Sequence, residues 1–263
     1  MINARLVYFF ESNNLITPLQ SGFRQECSTT DHLVRFETFI RDAFIKKEHL
    51  VAVFFDLEKA YDTTWKYGIM KDLHDLGLKG RLPSFIGNFL SDRNLKVRVG
   101  STRSESHEQE MGVPQGSILS VTLFNIKINN ITKCLSPGTD CSLYVDDFLI
   151  CYRFKHMHTI KQQLQQNINK LHHWATENGF TFSKSKTVCM HFCQLRKHHK
   201  DPNPRLDRTP IPVVEENKFL CILFDRKLTF IPHINYLKVK CLKALDLLKV
   251  VEIPTGVPIE KFC

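Results

Sequence analysis

The feature that most narrows what this chain can fold into is a pair of successive carboxylates, Asp146-Asp147, set between two short apolar arms, Leu143-Tyr144-Val145 and Phe148-Leu149-Ile150. Apolar arms around a polar tip are the pattern of a tight β-hairpin. The tip would then hold two negative charges side by side next to buried residues, where repulsion and lost hydration conflict unless a cation compensates them. A solvent-exposed Asp-Asp turn is the alternative that these residues alone leave open.

A second carboxylate is placed in a related way. Leu50 to Phe55 is an unbroken apolar run rich in β-formers, the pattern of a strand buried on both faces, and it stops abruptly at Asp56. Magnesium prefers hard oxygen ligands and shares them with substrate phosphates. Asp56 at a strand end and Asp146 and Asp147 at a hairpin tip would therefore form one divalent site on a sheet.

Around these segments the apolar periodicity predicts a helix near 29–47, started by the cap-like run Ser28-Thr29-Thr30-Asp31 and striped by Leu33, Phe36, Ile40 and Phe44. Further helices are predicted over Trp65–Leu76, Leu82–Leu90, Ile118–Ile131 and from Ile160 to a stop near Asn178-Gly179, and a basic amphipathic helix over Ile231–Val251. Leu95–Val99 alternates like an exposed strand, strands are expected over Thr187–Phe192 and Phe219–Phe224, and Gln194–Pro212 reads as a surface loop.

A length of 263 residues with 43% hydrophobic residues supplies one large core or two subdomains and excludes a disordered chain. Lys and Arg number 36 against 27 Asp and Glu, a net charge of +9 that favours a polyanionic partner or an acidic membrane surface. No stretch approaches the roughly 20 apolar residues of a membrane span, and Leu6–Phe10 is too short for the core of a signal peptide. The chain is thus expected to be intracellular, cytoplasmic or nuclear, not secreted and not in a membrane. Nine scattered cysteines fit reduced thiols better than a disulfide framework. Cys189, His191 and Cys193 alternate along one strand face, with His198 and His199 shortly after. They form a candidate zinc cluster whose alternative is an ordinary strand.

Quoted in full, Phe54-Phe55-Asp56-Leu57-Glu58-Lys59-Ala60-Tyr61-Asp62 and Tyr144-Val145-Asp146-Asp147 resemble motifs A and C of reverse transcriptases, and Gly112-Val113-Pro114-Gln115-Gly116-Ser117 between them resembles motif B. Leu19-Gln20-Ser21-Gly22-Phe23-Arg24 resembles the lead into the palm in retrotransposons without long terminal repeats, of which the jockey-like branch is the nearest match. Gly179-Phe180 through Lys186-Thr187 looks like motif D, and Phe219-Leu220-Cys221 with Phe224-Asp225 looks like motif E and the thumb entry. Val121 and Cys221 stand where the family often has proline and glycine.

The resemblance implies an α/β palm: a mostly antiparallel sheet backed by helices, with partial fingers and entry to the palm over 1–49, the palm with inserted fingers elements over 50–215, and the motif E region and start of a thumb over 216–263. It implies an RNA-directed DNA polymerase acting on an RNA template, a DNA primer and deoxynucleoside triphosphates. Two magnesium ions, with manganese as a substitute, would be held by Asp56, Asp146, Asp147 and the Leu57 carbonyl. Tyr61 would be a steric gate against a 2′-hydroxyl, its alternative a core tyrosine; Gln115 and Gly116 would contact the nascent base pair or template. Lys186 would protonate pyrophosphate, its alternative a solvated surface lysine. Arg24, Lys184, Lys238 and Lys240 would meet the nucleic-acid backbone, with Arg196, Lys197 and Lys200 in the same basic stretch. In the family an arginine-bearing fingers segment precedes the residues matching Met1, and an endonuclease is usually encoded in the same polyprotein. The chain is therefore expected to be an excerpt of a polyprotein with an endonuclease upstream. The rival readings are a catalytically silent nucleic-acid-binding remnant and a viral-type RNA polymerase.

Overall fold

The structure, a computed structural model, describes residues 1–195 and 200–251, the side chains of 250 and 251 excepted. Arg196, Lys197, His198, His199 and Cys263 lie outside the described residues, as does the end of the 216–263 segment.

Seven α-helices occur among the described residues: α1 (Ile2–Ser12), α2 (Thr29–Ile45), α3 (Lys66–Asp75), α4 (Arg81–Leu90), α5 (Ile118–Ile128), which runs on into a 3-10 helix over Asn129–Cys134, α6 (Met157–Glu177) and α7 (Ile231–Val251). The central sheet is built from β1 (His49–Phe55), β2 (Asp140–Tyr144), β3 (Asp147–Phe154) and β4 (Val188–Phe192), in the order β2-β3-β1-β4. Every pairing in it is antiparallel.

All seven residues of β1 are buried because it is an interior strand with both faces covered. Val51, Val53 and Phe55 point into a core with α5 and α6, through Phe124, Ile128, Ile160, Leu164, Ile168 and Leu171. Leu50, Ala52 and Phe54 point the other way, into a core with Phe36 and Ile40 of α2. This alternation explains the unbroken apolar run, since a strand with one wet face would alternate in polarity. A third core joins α1, α3, α4 and α5 through Leu6, Phe10, Ile69, Leu73, Ile86 and Leu123.

Helix α2 begins as its cap-like run predicts, the Ser28 amide donating to Asp31 Oδ2 at 2.8 Å. Helix α5 lies between two cores and is buried nearly all round, including Lys127 at 3% exposure. Lys127 Nζ donates to Asp72 Oδ2 at 3.1 Å and Asn178 Oδ1 at 2.9 Å, which ties α5 to α3 and to the end of α6.

Three expectations are corrected. Phe219–Phe224 is two strands, β5 (Glu216–Phe219) and β6 (Ile222–Asp225), joined by a turn in which Leu220 and Cys221 both have positive φ, 44° and 70°. Such a turn favours Gly, Asn or Asp, so its apolar residues hid it. Leu95–Val99 is not one strand but two short ladders, Asn94–Leu95 with His107–Glu108 and Arg98–Val99 with Thr102–Arg103, exposed throughout. The 194–212 loop contains a small antiparallel pair, Arg205–Leu206 with Thr209–Pro210.

The carboxylate cluster at the end of the sheet

The hairpin between β2 and β3 is tighter than its sequence suggests. Tyr144 pairs with Asp147, so the two-residue turn is Val145-Asp146, and Asp147 is the first residue of β3 instead of half the tip. Val145 has φ 58°, a left-handed conformation that costs a β-branched residue about 1–3 kcal/mol unless its surroundings enforce it.

Those surroundings come from the segment near residue 20. Gln20 is fully buried; its Oε1 accepts from the amides of Val145 and Gly22, each at 2.9 Å, and its Nε2 donates to the Val145 carbonyl at 3.4 Å. The Ser21 amide donates to the Leu143 carbonyl at 3.3 Å. Gly22 leaves room for the turn, since a Cβ there would stand 2.3 Å from Val145 Cγ2. Gln20 is thus a residue of the site that sequence reasoning missed, although Leu19-Gln20-Ser21-Gly22 had been quoted for its resemblance.

The β1–β3 register ends at Phe55 opposite Phe148, and continuing it by one step sets Asp56 opposite Asp147, about 5 Å away between Cα atoms. Beyond β1 the chain is held on its other flank: the Ser183 amide donates to the Asp56 carbonyl at 2.7 Å, and the Glu58 amide to the Thr181 carbonyl at 2.9 Å. Leu57 sits between these bonds, bridged to Phe182, which turns its own carbonyl toward the opposite flank, the side of β3.

The electrostatics follow from this convergence. Loss of hydration, then the charges of Asp146 and Asp56, push the Asp147 carboxyl up to about 6. Asp56 is part-exposed as a residue, yet its Oδ2 is buried and has no hydrogen-bond partner among the described residues. Lys186 Nζ lies 3.5 Å from that oxygen on a side chain that is 71% exposed. A cleft of ≈ 100 Å³ beside them is lined by Asp56, Asp147, Lys186 and Lys218, among others. A carboxylate oxygen without a hydrogen bond and a carboxyl raised to about 6, first by lost hydration and then by its acidic neighbours, are groups whose charge a divalent cation could offset.

Tyr61 is half-buried, its ring stacked on Phe124 at 4.7 Å between centroids, and burial with the nearby Asp146 charge pushes its hydroxyl up to about 12. The loop carrying Gln115 is clipped to the same segment, the Gly112 amide donating to the Thr64 carbonyl and the Val113 amide to the Tyr61 carbonyl, both at 2.8 Å. Gly112 has φ 88°, and a Cβ there would meet the Asp62 carbonyl oxygen at 2.7 Å. Gln115 is exposed and donates to Asp62 Oδ1 at 2.9 Å, while Gly116 has φ 86° and open space where a Cβ would be.

The cationic residues divide. Arg24 donates to Glu11 Oε1 and Oε2 and to the carbonyls of Thr17 and Gln20, which leaves one of its five N–H groups for another partner. Lys184 is half-exposed and paired with Asp207 at 2.9 Å. Lys238 and Lys240 are exposed on α7, with Lys240 over the Tyr236 ring at 5.4 Å. Cys189 is buried in the core with α6 and is not grouped with His191 and Cys193; His49 takes its place beside them.

Residues 1–229 match the family described as reverse transcriptase (RNA-dependent DNA polymerase). The chain is 28% identical over 91% of its length to a probable RNA-directed DNA polymerase from transposon X-element of Drosophila melanogaster. It is 27% identical over 90% to the RNA-directed DNA polymerase from mobile element jockey of Drosophila funebris. It spans about a quarter of each of these relatives, 26% in both cases. Among solved structures, apo telomerase from Candida tropicalis truncated from its C-terminal domain superposes with a TM-score of 0.59 at 14% identity, covering 87% of this chain and 43% of that one. With a match over residues 1–229 and an antiparallel sheet that gathers the motif carboxylates at one end, the chain belongs to the reverse transcriptase family.

Proposed function

We propose that this chain is the polymerase core of an RNA-directed DNA polymerase from a retrotransposon without long terminal repeats, adding deoxynucleotides to the 3′-hydroxyl of a DNA primer on an RNA template. The observation that carries the reading is the convergence of Asp56, Asp146 and Asp147, with a buried oxygen of Asp56 unsatisfied and Asp147 resisting ionisation. Asp56, Asp146, Asp147 and the Leu57 carbonyl would hold two magnesium ions. Magnesium, or manganese in its place, activates the primer hydroxyl and offsets charge on the triphosphate when bound.

The remaining residues take positioning roles. The Tyr61 ring, held against Phe124, forms a wall under the incoming sugar that excludes a 2′-hydroxyl. Gln115 exchanges Asp62 for the nascent base pair or template, and Gly116 admits backbone approach. Lys186 supplies a proton to the leaving pyrophosphate from beside Asp56. Lys184, Lys238 and Lys240 contact phosphates without reading sequence. The names of the relatives, RNA-directed DNA polymerases of mobile elements, support this reading, and a longer polyprotein with an endonuclease upstream, working in the cytoplasm or nucleus, is part of it.

The test is primer extension on an RNA template in magnesium, with the chain and with the same chain extended at its N-terminus. Deoxynucleotide addition that Asp146→Asn abolishes is expected, with ribonucleotides poorly used. Equal incorporation by Asp146→Asn ends the assignment, and ready use of ribonucleotides ends the role given to Tyr61.

A further inference from the structure

His49 is the first residue of β1, at the end of the sheet opposite the carboxylates; the length of the strand puts about 23 Å between it and Asp56. The β1–β4 register pairs Leu50 with Phe192 and Val51 with His191, so one further step sets His49 opposite Cys193. Residues 49 and 51 of β1 and 191 and 193 of β4 then project from one face. The side chains meet there: His49 Nδ1 lies 3.0 Å from His191 Nε2, and the ligating atoms of His49, His191 and Cys193 all lie within 4.8 Å of one another.

Two imidazole nitrogens on a tetrahedral centre with bonds of about 2.0–2.1 Å stand about 3.3 Å apart, so the observed spacing needs only a small opening to admit an ion. The far side of His191 is also prepared. Its Nδ1 is 2.9 Å from Asp201 Oδ1, an arrangement in which Nδ1–H donates to the carboxylate and the Nε2 lone pair faces the ion. Asp201 is itself fixed by Arg226, whose Nη2 donates to Oδ1 at 2.8 Å and lies 3.3 Å from His191 Nδ1. Both histidines are buried and Cys193 is half-buried.

We propose that His49 Nδ1, His191 Nε2 and Cys193 Sγ bind one zinc ion, as a clip that joins β1 to β4 at the end of the sheet away from the carboxylates. The donor set of two imidazoles and one thiolate selects a borderline-soft ion over magnesium, so the two metal classes sort to opposite ends of the sheet. Binding releases the proton of the Cys193 thiol and needs each imidazole neutral, with its proton on the nitrogen that does not face the ion.

The test titrates cobalt(II), a spectroscopic stand-in for zinc, into the full reduced chain in excess magnesium, which keeps the oxygen site filled by its own class of ion. One cobalt per chain with a thiolate-to-cobalt charge-transfer band is expected, and stoichiometric zinc should displace it. Cys193→Ser should abolish the band and weaken binding at least about tenfold, whereas Cys221→Ser, at an exposed cysteine outside the cluster, should change neither. Asp201→Asn should keep the band and weaken affinity by about 10–100-fold. Circular dichroism of each variant reports folding independently. A native chain with no band, or a band that survives Cys193→Ser, overturns the proposal.

Discussion

Replacing Asp147 by Asn should make the metal-free protein more stable while depriving the site of a ligand. The Asp147 carboxyl rises from 3.8 to about 6 on folding, first through lost hydration and then through Asp146 and Asp56. A pKa raised on folding means that ionisation favours the unfolded chain. The penalty is therefore absent below pH 4, grows between pH 4 and 6, and is constant above. At about 1.4 kcal/mol per pH unit the full shift is worth about 3 kcal/mol, and because the side chain reaches solvent, screening reduces it to about 1 kcal/mol. Asn is close in shape, carries no charge and forfeits no hydrogen bond that the Asp147 side chain makes among the described residues. Urea denaturation in chelator should show Asp147→Asn more stable than the parent by about 1 kcal/mol at pH 7.5, with the two converging near pH 4. Millimolar magnesium should stabilise the parent more than the variant. A variant less stable than the parent at pH 7.5 in chelator would refute the view that uncompensated carboxylate charge is stored here.

Gln20→Ala leaves the buried amides of Val145 and Gly22 without their acceptor, so it should cost about 3 kcal/mol in denaturant titration and lower primer extension through a loosened turn; a loss under about 1 kcal/mol would contradict the clamp. Gly112→Ala combines a positive φ with a Cβ 2.7 Å from the Asp62 carbonyl oxygen and should cost about 3 kcal/mol, while Gly116→Ala, with the same backbone strain but open space, should cost about 1 kcal/mol; equal losses would contradict the steric account.

The elements easiest to find from the sequence were those whose own pattern carries the signal. Strand β1 shows itself as an apolar run because both faces are covered, and α2 and α6 show themselves as stripes because one face of each is wet. Helix α1 was not anticipated: only Leu6 and Phe10 are buried in it, and the aromatic run around them reads as readily as strand. The turns were harder still. Val145 and the Leu220-Cys221 pair adopt positive φ without glycine, so no local residue announces them. For Val145 the conformation is imposed by Gln20, 125 positions away, and no sequence pattern reveals such a clamp. The same limit applies to partners. Lys127, deep in an apolar helix, is matched by Asp72 and Asn178 from two other helices, and His49 meets Cys193 only because β1 and β4 pair. The carboxylates, by contrast, sit at points where apolar segments stop, and that interruption is visible in one dimension.

Manganese binding followed by electron paramagnetic resonance, in the presence of a non-hydrolysable deoxynucleoside triphosphate, tests most directly whether Asp56, Asp146 and Asp147 hold a pair of cations together. The unaltered chain should bind a spin-coupled pair, and Asp56→Asn and Asp146→Asn should each lose the coupling. An undiminished coupled pair in either variant would contradict the assignment.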